Sequence, residues 1–225
     1  MAASEATANG PGGHVAGSQA AEGAPRRDFL TLVTLATAAV GVAAVAWPFI
    51  DSMDPAADTI AAGSPIDIDL SHIQPGQQVV VLWREKPILV VNRTPAALKE
   101  LQSSAMIDRL SDPNSKVDQQ PPYAENWHRS AKPEFAVLVG ICTHLGCLPG
   151  YWPNPSTTTP VADWPGGYLC PCHGSKYDLA GRVWKFVPAP YNLPVPPYNF
   201  LNDTTVRIGE NPPNQTWTLN DIVQI

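Results

Sequence analysis

Charge is scarce in this sequence. Asp, Glu, Lys and Arg make up 15% of the 225 residues, and the 14 Lys and Arg residues are scattered rather than gathered. A formal charge of -6 with no basic stripe leaves nothing to track a phosphate backbone, so nucleic acid is excluded as a partner. Cysteine is scarce too, with four in all, confined to two short stretches. A chain of 24.1 kDa buries a sizeable core without staples or metals, so size alone does not require those cysteines. Apart from these two stretches the sequence contains no internal repeat.

Three further absences divide the chain. Residues 1–25 contain no Leu, Ile, Phe or Trp, so they cannot bury enough surface to offset their ordering entropy, and they read as a disordered tail. Phe29 to Ile50 carries no charge over 22 residues, about 33 Å as a helix, enough for a hydrocarbon core of roughly 30 Å. This apolar stretch exceeds the usual signal-peptide core of about 7 to 15 residues, and Trp47–Asp51 offers no small-x-small cleavage pattern. We therefore read 26–50 as a retained, single-pass membrane anchor. Arg26 and Arg27 precede it and the next Lys or Arg is Arg84, which places the N-terminus in the cytoplasm and the remainder across the membrane. The Arg26-Arg27-Asp28-Phe29-Leu30 stretch resembles a twin-arginine export signal, the route of proteins that fold before crossing. Residues 51–65 lack aromatics and have turn formers at both ends, as a flexible hinge would.

What is present from residue 66 onward is loop-rich β structure, in keeping with 25 prolines and 16 glycines in the chain. Ile66–Leu70 alternates, and Gln77–Trp83, Ile88–Val91 and Phe135–Gly140 are β-rich apolar runs, the first three separated by Pro75-Gly76 and by Arg84–Pro87. Thr94 followed by Pro95 and good helix formers predicts a short helix to Leu101. The expected fold is mostly β, an antiparallel sandwich head over 66–225 with a small subdomain at about 141–190.

The two cysteine stretches are Cys142-Thr-His-Leu-Gly-Cys147 and Cys170-Pro-Cys-His-Gly-Ser175. Cysteine and histidine at such spacing fit a zinc site first, as part of a zinc-stabilised binding module. A mononuclear zinc site leaves two cysteines over. In an exported head, spare cysteines pair, so one Cys and one His per loop as ligands, with one Cys per loop in a bridge, uses all six residues.

C-T-H-L-G-C and C-P-C-H-G-S resemble the two boxes of the Rieske iron-sulfur proteins, and the resemblance extends from Arg26 to about Ile208. It implies one 2Fe-2S cluster held by Cys142, His144, Cys170 and His173, with Cys147 and Cys172 as a disulfide. Two neutral imidazoles in place of two thiolates make such a cluster less negative and easier to reduce. The resemblance further implies that Leu145 and Gly146 belong to the cluster pocket, and that Ser175 and Tyr177 donate hydroxyl hydrogen bonds to sulfur. Val187-Pro188-Ala189-Pro190 is similar to the family's proline loop, with valine where glycine is usual.

The paired extra cysteines and the anchor set the chain apart from ring-hydroxylating oxygenases and their ferredoxins. With Ser52–Asp58 after the span and Thr94–Leu101, it resembles the iron-sulfur subunits of bacterial cytochrome bc complexes. That resemblance implies quinol oxidation at the periplasmic face of the bacterial inner membrane. His173 and His144 form the reactive edge, ubiquinol is the reductant, and cytochrome b and a c-type cytochrome are partners in a dimeric complex. The alternative within the family is the Rieske subunit of another periplasmic oxidase, such as arsenite oxidase. Residues 151–167 and 209–225, the latter with a strand-like pattern, lie outside the family pattern.

Overall fold

The computed structural model describes residues 26–54, 56, 63–155 and 161–223. The tail expected at 1–25, and residues 55 and 57–62 of the hinge expected at 51–65, lie outside the described residues. Two compact units are present, the first ending at Pro55 and the second beginning at Ala56.

The first unit is a helix, α1, at Arg26–Asp51. Its richest 18-residue window has a mean hydropathy of 2.2, and among the described residues it is the one helix long and apolar enough to cross a membrane. The hydroxyls of Thr31, Thr34 and Thr37 donate to the carbonyls of Arg27, Leu30 and Val33 at 2.9, 2.8 and 2.9 Å. The few polar groups of the span are thereby satisfied within the helix, as a lipid environment requires.

In the second unit, nine strands form three antiparallel three-stranded sheets among the described residues. β1 (Ile66–Asp69), β9 (Thr205–Ile208) and β8 (Tyr198–Phe200) form the first sheet in that order. The alternation read in the sequence is realised here: Ile66 and Ile68 pack against the core, while Asp67 faces outward and its carboxylate accepts from Arg207 at 2.7 and 2.9 Å. The second sheet is β2 (Gln78–Trp83), β3 (Lys86–Asn92) and β4 (Phe135–Val139). β3 lies in the middle, so Ile88, Leu89, Val90 and Val91 are all fully buried, which explains an apolar run without alternation. The β2–β3 hairpin turns at Arg84 and Glu85, both left-handed (φ 48 and 61), as the two central residues of the hairpin turn require.

Helix α2 (Pro95–Leu101) begins where expected, with Thr94 Oγ1 accepting from the Ala97 N–H at 3.1 Å. A second short helix, α3 (Ser104–Arg109), capped by Ser103, follows it and was not legible in the sequence. The strand-like pattern at 209–225 is not realised: residues 209–223 contain no strand. Pro212 and Pro213 remove two ladder donors, and Trp217 buries itself with its Nε1 donating to Val195 O at 3.3 Å. The described part of 151–167 is likewise tied to the head, since Trp164 stacks on Trp184 at 5.6 Å and donates to Trp152 O.

The third sheet, β5 (Gly150–Trp152), β6 (Gly167–Leu169) and β7 (Lys176–Tyr177), falls within the stretch expected as a subdomain. The main core contains side chains of all three sheets, including Tyr177, together with Cys142 and Cys170.

Candidate metal centre

The two cysteine boxes fold as equivalent loops. β4 leads into the first and β6 into the second. In the first, Cys142 N–H donates to Cys147 O at 2.8 Å and Gly146 N–H to Cys142 O at 2.9 Å. In the second, Cys170 N–H donates to Ser175 O at 2.8 Å and Gly174 N–H to Cys170 O at 3.0 Å. Each loop thus starts at a buried cysteine and closes five residues later. Each needs a left-handed residue at its fourth step, supplied by Gly146 (φ 82) and Gly174 (φ 74). The histidines break the equivalence. His144 is the second residue after its cysteine and half-buried, whereas His173 is the third and exposed.

The loops are joined where the resemblance implied. Cys147 and Cys172 form a disulfide with Cα atoms 6.6 Å apart, while Cys142 and Cys170 are free and buried. The rings of His144 and His173 meet edge to face, centroids 4.8 Å apart. The Sγ atoms of Cys147, Cys170 and Cys172 lie within 4.8 Å of one another, but two of those sulfurs are consumed by the disulfide. A three-cysteine zinc site therefore lacks its thiolates.

The four remaining donors fit a 2Fe-2S group with two sulfur and two nitrogen ligands. Burial pushes the Cys170 thiol up, and its neighbour Cys142 adds to the shift, so a thiolate there calls for a compensating metal charge. Tyr177 is fully buried and its phenol is raised far above its ordinary value, chiefly by burial, so it remains a proton donor. Its oxygen accepts from Thr143 N–H at 3.2 Å and lies 3.2 Å from Cys142 Sγ. Thr143 Oγ1, 3.3 Å from the same phenol, donates to Tyr191 O at 2.8 Å. With one lone pair taken by an amide, the phenol proton is free to point at sulfur. Ser175 is fully buried as well, and its Oγ accepts from Ala189 N–H at 3.1 Å.

On the two bridged loops the structure thus places His144 against His173, Cys142 beside Tyr177 and Cys170, and Ser175 at the closure of the second loop. Leu145 stands apart: it is 71% exposed at the loop tip. The proline loop differs in detail from the sequence expectation. Val187 is partly buried against the core, and the left-handed, glycine-like backbone belongs to Phe186 (φ 59), whose side chain is wholly exposed. Sequence reasoning also missed Thr143, although its position inside the first box was a signal, and the buried Asp178–Arg182 pair just beyond the second, joined at 2.6 Å.

Comparison with known proteins gives the family. Residues 118–198 match the Rieske 2Fe-2S domain, and residues 17–56 match the Tat signal region of the ubiquinol-cytochrome c reductase Fe-S subunit. The chain is similar to the ubiquinol-cytochrome c reductase iron-sulfur subunit of Blastochloris viridis, 50% identical over 87% of this chain and 98% of that one. It is 49% identical to the subunit of the same name from Allochromatium vinosum, over 83% of this chain and 89% of the relative. The Rhodospirillum rubrum subunit of that name is 46% identical over 93% of this chain and all of its own.

Proposed function

The chain belongs to the family of ubiquinol-cytochrome c reductase iron-sulfur subunits, and from that premise we propose that it takes electrons from ubiquinol in a cytochrome bc complex and passes them to a c-type cytochrome. The observation that carries the reading is the convergence of two free buried thiols and two touching imidazoles on loops joined by a disulfide. The 2Fe-2S cluster, when bound, supplies a one-electron acceptor of high potential. Cys142, His144, Cys170 and His173 would hold it.

The chain's own groups do the rest. His173, exposed at the tip, presents the ring nitrogen not committed to metal to a quinol hydroxyl and receives its proton. His144, half-buried beside it, holds the ring edge-on. Exposed Leu145 and Leu148 give the tip an apolar rim that suits docking at a quinol site in cytochrome b. Tyr177 and Ser175 direct hydroxyl protons at sulfur, which favours the reduced state and so raises the potential. Helix α1 anchors the chain with Arg26 and Arg27 on the cytoplasmic side, the head lies in the periplasm, and residues 51–65 act as the hinge between them. The relatives' names favour this reading over a subunit of another periplasmic oxidase.

The test is purification of the membrane complex. Two irons and two acid-labile sulfides per chain, a Rieske-type EPR signal on reduction, and quinol-dependent cytochrome c reduction are expected. One equivalent of zinc without visible absorption would overturn the reading.

A further inference from the structure

Beneath the second box lies a guanidinium with an unusual environment. Arg129 is fully buried and its backbone is left-handed, with φ 49, both unfavourable for a long charged residue. Its Nη1 donates to Leu193 O at 2.7 Å, Ala180 O at 3.2 Å and Gly181 O at 3.4 Å. Its Nη2 donates to Gln120 Oε1 at 2.9 Å and Gln119 O at 3.4 Å. Every acceptor is neutral. The two terminal nitrogens are therefore matched to the placement of carbonyls, while Asp178 and Asp112 act on the charge only through space.

Those carbonyls mark the two ends of one loop. Leu193 N–H donates to Gly181 O at 2.8 Å, closing a neck from which residues 182–192 run out and return. Gly181 is left-handed at φ 73, which favours glycine, and a Cβ there would crowd Arg129 Nη1 at 3.2 Å and Leu138 at 3.1 Å.

The loop so closed reaches both boxes. Ala189 N–H donates to Ser175 Oγ, and Tyr191 exchanges hydrogen bonds with Thr143 Oγ1, its carbonyl accepting at 2.8 Å and its N–H donating at 3.4 Å. These contacts fill acceptor positions on the Ser175 and Thr143 hydroxyls. The Ser175 proton is left for an acceptor in the centre itself, and the Tyr177 phenol, with Thr143 beside it, lies 3.2 Å from Cys142 Sγ.

We propose that Arg129 is a positioning residue for the metal centre: by closing the neck of the 181–193 loop it keeps the Ser175 and Tyr177 hydroxyls aimed at sulfur, and so sets the reduction potential. This inference rests on the iron-sulfur reading above. Lysine at this position keeps the charge and loses the planar fork, which separates placement from field.

The experiment uses the full-length chain in its membrane complex, comparing wild type, Arg129→Lys, Arg129→Met and Val206→Ala. Val206 is fully buried in β9 and provides a core-destabilised control. Bound iron, thermal unfolding, EPR line shape and midpoint potential are measured for each. Arg129→Lys is expected to retain the cluster with broader lines and a lower midpoint potential, because each misaimed hydroxyl removes a hydrogen bond that favours the reduced state. Arg129→Met is expected to shift further in the same direction. Val206→Ala is expected to melt earlier at the wild-type potential. Should Arg129→Lys lose its iron at a stability at which Val206→Ala retains it, the proposal stands. Wild-type potential and line shape in Arg129→Lys, or an equal shift in Val206→Ala, overturns it. Absence of a Rieske signal from the wild-type complex would instead overturn the proposed function before any variant is compared.

Discussion

The second sheet and the third are held by different forces. In β2–β3–β4 the strands run six, seven and five residues, and the facing segments Ile88–Val91 and Ala136–Val139 are fully buried. Dispersion and apolar burial suffice there. In β5–β6–β7 the strands have three, three and two residues, too short to persist by pairing alone. Tyr168 and Tyr177 are buried in the main core there too, and what this region adds is directional: the Cys147–Cys172 bridge, the Tyr177 phenol, Thr143 and the two loop closures. Stability and the tuning of the metal centre are therefore separable by mutation.

The sharpest break is expected in the loops. Cys142→Ser or Cys170→Ser should abolish cluster binding, read as loss of iron and visible absorption, while circular dichroism keeps the β signature of the base. In the base, Ile88→Ala should cost about 2 to 5 kcal/mol of unfolding free energy by denaturant titration, the range for a buried large-to-small change. Its cluster, where retained, should titrate at the wild-type potential; a moved potential would mean that the two regions are not separable. Cys147→Ser or Cys172→Ser should lower stability by about 2 to 4 kcal/mol through loop freedom and speed cluster loss on storage. Wild-type cluster lifetime in both cysteine variants would show that the bridge is dispensable.

Smaller effects sharpen the contrast. Tyr177→Phe keeps the ring and removes only the hydroxyl, so stability should fall by about 1 kcal/mol while the midpoint potential drops measurably. The mildest effect concerns His128, half-buried beside Ser130 and Trp127. Burial, reinforced by Arg93, holds it down to about 4 from 6.5, so between those values the unfolded chain binds the proton that the folded chain refuses. Its contribution is intact above pH 6.5 and is lost as pH falls toward 4. His128→Gln should flatten that part of a plot of melting temperature against pH.

The same contrast explains what could be read in the sequence. The boxes were legible because every cysteine lies in them and their spacing dictates chemistry. The long apolar strands were legible because burial on both faces leaves continuous β-rich runs. The short strands were not, because two or three residues carry no period and owe their conformation to distant partners. Arg129 was invisible for another reason: a charged residue in the polar segment 110–134 reads as surface, and only the closed neck of a loop more than 50 positions away makes its burial tolerable. The pattern at 209–225 misled because a tryptophan among threonine and leucine imitates alternation, whereas Trp217 is held by a single pocket.

The proximity of three sulfurs within 4.8 Å also bears on the order in which the protein matures. Four cysteines permit three pairings, and in the folded head the Cys170 sulfur lies within 4.8 Å of both sulfurs of the bridge. A thiolate bound to iron does not exchange with a disulfide, so loading Cys142 and Cys170 first leaves one pair free to oxidise. Reversed, with an oxidant meeting four reduced thiols, a bridge that includes Cys170 would consume a ligand. On the proposed ligand set, metal before disulfide is the order that avoids this loss, and a twin-arginine route permits it by exporting the chain already folded.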